Sequence, residues 1–314
     1  MSFFRYILEY RFQDMIELVK NSMATPKEMS ADLTGKTVVL SGATSGIGRE
    51  TALLFAKNGA DLVLLNRNPQ KSAELGTELE QKFGCSVRTI LVDFSSMDQT
   101  KACADELLQL EEPIDVLIHN AGVYYTKKTF SEDEIEIVFQ VNHLSSFYIN
   151  YLLKDKLKQE NRARIIYVNS EGHRFALGGV HVNDLEWRKH RYSGLKSYGA
   201  AKTAQLLSMQ KFVELFADFK VTVNAMHPGN VRSHIGENNG KVYRWIKEHF
   251  VLSSAQDPVI SAQALLYLAF ASELSEVSGK FYNLTALEKP APHAMDIREK
   301  EPVWRKSLES CGLS

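Results

Sequence analysis

Short apolar runs alternate with stretches of helical periodicity along most of the chain. Residues 37–40, 61–65, 87–92, 114–118, 164–168, 221–225 and 279–284 read as seven strands. Between them the 3.6-residue pattern predicts helices that begin near Gly46 and after Pro69, and over 98–110, 198–216 and 260–271. A further long helix is expected from Ser131, where Glu134 three positions on completes a capping-box pair. The strands are apolar on both faces and separated by helices, which is how a buried parallel sheet reads. The expected fold is α/β: a single doubly wound Rossmann-type domain whose seven-stranded, mainly parallel sheet has helices on both faces.

Residues 1–32 stand apart. Phe3, Phe4, Ile7, Leu8, Phe12, Met15, Ile16 and Val19 share one helical face, with Arg5, Glu9, Asp14 and Glu17 elsewhere. The chain therefore divides into an amphipathic helix and linker over 1–32 and the Rossmann-type unit over 33–314, with loops at 171–197 and 230–256. Packing on its own domain or a partner subunit fits the helix over 2–23 better than membrane contact does. A membrane-surface helix is usually rich in Lys and Arg, and this one is charge-balanced.

Composition narrows the classes. With 37 Lys+Arg against 38 Asp+Glu, the net charge of −1 speaks against a nucleic-acid partner. No apolar run approaches the ~18 residues a membrane span needs. The three cysteines, Cys85, Cys103 and Cys311, lack metal spacing and read as reduced thiols, which fits a cytoplasmic protein, with peripheral membrane contact as the variant. His173, His181 and His190 lack the spacing and acidic partners of a metal site and are read as loop residues, so no metal is expected.

The first candidate chemistry follows the first strand. Ser41-Gly42-Ala43-Thr44-Ser45-Gly46-Ile47-Gly48 is a glycine-rich turn leading into a helix, where backbone N–H groups can meet a pyrophosphate. At the end of the second strand, where NAD sites carry an acid for the ribose hydroxyl, stand Asn66 and Arg67. An acid would repel a 2′-phosphate, whereas arginine grips one with a planar fork of donors, and Arg49 lies nearby in sequence. NADP(H) is therefore expected, with NAD(H) less favoured.

Tyr198 and Lys202 stand at i and i+4 on one helical face. An ammonium beside a phenol lowers its pKa from about 10 toward the range of a general acid/base. Asn120-Ala121-Gly122, Ser170 and Pro228-Gly229 all fall at carboxyl ends of strands, where open α/β sheets bind ligands. In this order and on these elements the motifs resemble those of the short-chain dehydrogenase/reductase family, over nearly all of residues 33–290. The stretch 173–197, His227-Pro228-Gly229 and the run 278–282 resemble its retinol-dehydrogenase-like branch.

The resemblance implies roles. Ser170 would hydrogen-bond the substrate oxygen, Tyr198 would carry the proton, and Lys202 would hold the nicotinamide ribose and lower the tyrosine pKa. Asn142 would support a water-linked proton relay, Asp93 would lie near the adenine, and Asn120 would be chiefly structural. Three features depart from the family pattern. Ser41 stands where threonine is usual, Asn169 replaces one of two adjacent serines, and Ser170 and Tyr198 are farther apart than in many members. The expected activity is interconversion of an alcohol and a carbonyl with NADP(H), most simply reduction of a lipophilic aldehyde or ketone. An NADP(H)-binding sensor with little turnover is the alternative. Candidate pocket walls are Phe175, Leu177, Trp187, Tyr192, Ile235, Tyr243, Trp245, Ile246 and Phe250. Family members often pair through the helices carrying Asn142 and Tyr198, which implies a homodimer or homotetramer.

Overall fold

The computed structural model describes residues 20–21, 24–176, 178–231 and 256–313. The predicted helix over 2–23 lies outside these except for residues 20 and 21. The linker after it follows one end of the sheet. Lys27 N donates to Thr285 Oγ1 at 2.8 Å and Lys27 Nζ to the Tyr267 hydroxyl at 2.7 Å.

The apolar runs form strands β1 (Thr37–Ser41), β2 (Asp61–Asn66), β3 (Val87–Leu91), β4 (Val116–His119), β5 (Arg164–Val168), β6 (Thr222–His227) and β7 (Phe281–Asn283). An eighth strand, β8 (Ala286–Glu288), corrects the expected count of seven. The order is β3-β2-β1-β4-β5-β6-β7-β8, parallel throughout except for the last pair. Neighbours to either side of β1 connect in opposite directions, so a crevice opens at the carboxyl ends of β1 and β4.

Successive strand residues point to opposite faces, and the two faces build two cores. Val39, Val63, Leu117, Ile165 and Tyr167 enter one, and Val38, Leu40, Leu64, Ile118 and Ile166 the other. The second core is covered by α1 (Gly46–Lys57), α2 (Pro69–Phe83) and α6 (Pro258–Phe270). The first is covered by α3 (Met97–Leu108), α4 (137–160), α5 (Gly194–Leu215) and α7 (Ile297–Ser310). Local chemistry sets the ends of these helices. Asn68 accepts from Lys71 N with Pro69 in the first turn of α2, and Gly84 closes it in the left-handed region.

The start of α4 differs from expectation. Ser131 and Glu134 form a turn in which Glu134 has φ 58°, and the helix begins after Glu136. The Glu136 carboxylate is fully buried and accepts from Val138 N at 3.2 Å and Phe139 N at 3.0 Å. It also accepts from the Ser197 hydroxyl at 2.8 Å, which ties α4 to the first turn of α5. A capping acid with tertiary partners outcompeted the local pair. Within α4 the segment Gln140–Leu144 is a π-helical turn containing Asn142, flanked by Ile137–Phe139 and Ser145–Glu160. Among the described residues no helix is long and apolar enough to cross a membrane.

Candidate active site

A cleft of about 1020 Å³ lies along the carboxyl ends of the central strands. Its floor at one end is the glycine turn between β1 and α1. Gly42 and Gly46 have φ of 71° and 52°, and Gly48 approaches the turn so closely that a β-carbon there would stand 2.1 Å from Gly42 O. Ser45 precedes α1 without a side-chain capping bond, which leaves the first-turn amides to an acceptor such as a bound anion. This cradle fits a dinucleotide pyrophosphate.

Gly42, Ser45, Gly46, Ile47 and Gly48 line the cleft, as do Asn66, Arg67 and Asp93 at its far end and Asn120, Ala121 and Gly122 at its centre. Pro228 and Gly229 close the other end beside Ser170, Tyr198 and Lys202. Ser41 and Asn142 are not among the lining residues. Ser41 Oγ accepts from Asn120 N at 2.9 Å and Ala121 N at 3.0 Å, stitching β1 to the end of β4. The Asn142 side chain is spent on Val123, accepting from its N at 2.7 Å and donating to its O at 2.9 Å. Asn120 Nδ2 donates to Ser41 O and Gly42 O, both at 3.0 Å, which holds the glycine turn against β4. Asn66 Oδ1 performs the same service from β2, accepting from Ala43 N at 2.8 Å.

The two arginines expected near a 2′-phosphate differ. Arg49 is engaged with Glu78 at 2.6 Å, whereas Arg67 is 65% exposed and lies 3.7 Å from Asp93. Lys71, on the first turn of α2, also lines this end of the cleft. Sequence reading passed over it, although its position just beyond β2 was the available signal.

At the other end, Lys202 is buried, and its Nζ donates to Val168 O at 2.8 Å. Loss of solvent pushes its amine down to about 7. The ammonium lies 5.8 Å from the centre of the Tyr198 ring, and Tyr124 meets that ring edge-on at 5.9 Å. Ser170 Oγ accepts from Gly172 N at 3.0 Å, opening the short helix Glu171–Phe175.

His173, expected as a loop residue, is fully buried behind Ser170. Ala291 N donates to its Nε2 at 3.0 Å, so the proton sits on Nδ1, which donates to Ser170 O at 2.7 Å. Burial holds the ring well below its ordinary pKa, hence neutral. Beside it Arg174 pairs with Glu171 and, at 3.0 Å, with Glu288 of β8. Burial and the hydrogen bond to Glu288 push the Glu171 carboxyl up to about 8. Spacing along the chain gave no sign of this pair.

Of the expected substrate walls, Trp187 is buried within the 171–197 loop, edge-on to Tyr192 at 5.6 Å, and Phe175 is half exposed. Leu177, Ile235, Tyr243, Trp245, Ile246 and Phe250 lie outside the described residues.

Residues 36–182 match the family model described as short chain dehydrogenase. Retinol dehydrogenase 13 of Homo sapiens is 32% identical over 289 residues, covering 90% of this chain and 86% of that protein. An uncharacterised protein from Mycobacterium paratuberculosis superposes with a TM-score of 0.71 at 22% identity, covering 91% of this chain and 98% of that one. A short-chain dehydrogenase from Sphingobium yanoikuyae in complex with NADPH superposes with a TM-score of 0.60 at 23% identity, over 74% and 83% of the two chains.

Proposed function

The chain belongs to the oxidoreductases of the short-chain dehydrogenase/reductase family, in the retinol-dehydrogenase-like branch, and from that premise we propose that it is an NADP(H)-dependent carbonyl reductase/alcohol dehydrogenase for a lipophilic aldehyde or ketone. The observation that carries the reading is that Ser170, Tyr198 and Lys202 line one cleft with the glycine turn. When bound, the dihydronicotinamide supplies the hydride. Gly42, Ser45, Gly46, Ile47 and Gly48 would hold its pyrophosphate, Asp93 would face the adenine end, and Asn120, Ala121, Gly122, Pro228 and Gly229 would flank the nicotinamide half.

In the reducing direction the Ser170 hydroxyl donates to the carbonyl oxygen, where alkoxide character develops. The Tyr198 phenol gives its proton to the same oxygen, and the Lys202 ammonium stabilises the phenolate left behind. The stabilisation is reciprocal. A buried amine whose pKa burial has pushed to about 7 holds its charge better beside an anion. With its side chain committed to Val123, Asn142 would bear on the water-linked path that returns the proton only through its main chain.

Preference for NADP(H) rests on Asn66 and Arg67 standing where an acid would select NAD(H). The lipophilic substrate class rests on the named activity of the retinol dehydrogenase relative. The test is consumption of NADPH and of NADH with a panel of lipophilic aldehydes and ketones that includes all-trans-retinal. NADPH-dependent turnover of a panel member is the expected result, and Tyr198→Phe should bind NADPH normally yet lose nearly all of it. Tight NADPH binding with no turnover across the panel would shift the reading to a cofactor-binding module.

A further inference from the structure

Between the elements that carry Asn142, Ser170 and Lys202 lie two buried carboxamides, Asn169 at 2% exposure and Gln205 at 3%. Asn169 ends β5. Its Oδ1 accepts from Ser170 N at 2.8 Å, and its Nδ2 donates to Lys202 O at 3.0 Å and to Gln205 Oε1 at 2.8 Å. Gln205 sits one turn beyond Lys202 on α5, and its Nε2 donates to Asn142 O at 3.1 Å and toward Ser146 Oγ at 3.5 Å. The main chain of Asn169 is fixed as well, since its N–H donates to Met226 O of β6 at 2.7 Å.

The orientation of both amides follows from this network. Turning Asn169 over would set its NH2 against the Ser170 N–H and its oxygen against Lys202 O. Turning Gln205 over would set oxygen against Asn142 O and donor against donor at Asn169. One arrangement satisfies every group, and both hydrogens of each NH2 have an acceptor. Buried and fully satisfied, such a network specifies one geometry.

We propose that Asn169 and Gln205 are positioning residues, a carboxamide clasp that fixes Ser170, Lys202 and Asn142 relative to one another; this rests on the roles given to those three above. The clasp explains why asparagine occupies a position where the family usually has serine. A serine side chain is too short to serve Ser170 N, Lys202 O and Gln205 Oε1 together. Without the clasp, α5 is free to shift against β5 by a fraction of an ångström. The Lys202 ammonium would then stabilise the Tyr198 phenolate less well. A loss of this kind appears in the tyrosine pKa and in turnover before it appears in cofactor affinity.

The test is a pH titration of tyrosinate absorbance with NADP+ bound, taken as the difference between the wild-type chain and Tyr198→Phe. It needs no substrate. Asn169→Ser and Gln205→Met, the latter chosen to keep side-chain volume, should each raise the Tyr198 pKa by about one unit, on the scale of a charge partner drawn slightly away. NADP+ affinity should change by less than about threefold, since no cradle residue is altered. The double variant should shift the pKa no further than the larger single shift, because both changes open the same clasp. An unmoved Tyr198 titration in variants that still bind NADP+ would overturn the clasp alone. Wild-type Tyr198 titrating at the ordinary tyrosine value would instead overturn the catalytic reading on which it rests. If Asn169→Ser fails to bind NADP+, Asn169→Asp is the substitute, since it keeps an acceptor for Ser170 N and removes both donations.

Discussion

A β-carbon on Gly172 would stand 2.6 Å from Cε1 and 2.9 Å from Cδ1 of Tyr198. Gly172 has an ordinary backbone conformation, so the demand for glycine there is one of space. The amide of the same residue donates to Ser170 Oγ, which places two groups of the proposed chemistry against one small residue. Gly172→Ala should therefore push the phenol aside by close to an ångström. We expect kcat to fall by about 100-fold, the usual scale for misplacement of that size, with NADPH binding retained. Full activity in Gly172→Ala would mean that the ring position does not govern proton transfer.

Arg67 stands at the end of β2, largely exposed, 3.7 Å from Asp93 and free of the short ion pair that occupies Arg49. Arg67→Asp would replace a fork of donors by a like charge at the 2′-phosphate. The ratio of kcat/KM for NADPH over NADH should fall by about 100-fold, which corresponds to a charge-assisted contact of about 2.7 kcal/mol. An unchanged ratio would remove Arg67 from the cofactor assignment and leave Lys71 as the next candidate.

Four imidazoles, His119, His143, His173 and His293, are 4%, 1%, 0% and 0% exposed, and a fifth, His227, lines the cleft partly buried. Burial pushes His119 and His227 down to about 4 and His143 to about 3, holds His173 well below its ordinary value and lowers His293 as well. In the unfolded chain each titrates near 6.5. As pH falls through 6.5 the unfolded state takes up protons that the native state refuses, so stability falls with pH. Glu171 acts in the opposite sense, because its raised pKa of about 8 keeps a proton in the native state that the unfolded chain has released. Five imidazoles against one carboxyl leave a net of about three to four protons near pH 5.5, or about 4–5 kcal/mol lost per pH unit. Urea midpoints at pH 7.0, 6.0 and 5.5 measure it, and a flat stability across that range would contradict the burial of these rings.

How much of this was legible in the sequence varies with the range of the interaction. The strands and the glycine turn were readable because their signals are local, in apolar runs and in residues that a tight turn requires. Ser131 and Glu134 carried an equally good local signal for a helix start and were overruled by Glu136. The partners of that carboxylate include Ser197, on another element. Three-residue β8 is too short for any periodicity to reveal, and its register is set by pairing with β7. Asn169 was visible as a departure from the family pattern, but its meaning required Gln205, which only the packing of α5 on β5 brings within 2.8 Å. His173 likewise reads as one polar residue in a polar loop until Ala291 and Ser170 close around it.

α7 bears on assembly, because it occupies the face through which pairing was expected. Trp304 meets Phe147 of α4 edge-on at 4.9 Å and Phe212 of α5 at 5.0 Å, and both phenylalanines are buried. The His143 ring shares a 2.7 Å hydrogen bond with Ser307, whose hydroxyl donates to Val303 O, so the imidazole is the donor. Ion pairs from Lys300 to Glu214 and from Lys211 to Glu301 clamp the helix along α5. A second copy of the chain would have to displace all of this to reach α4 and α5. We therefore expect hydrogen exchange in α4 and α5 to be independent of protein concentration, whatever assembly forms elsewhere on the surface. Trp304→Ala should cost about 2–4 kcal/mol, somewhat below the usual loss for a fully buried tryptophan because the ring is only partly covered. It should also expose Phe147 and Phe212 and make the mass measured by light scattering rise with concentration. Protection of α4 and α5 that grows with concentration in the intact chain would show instead that α7 leaves this face open to a partner.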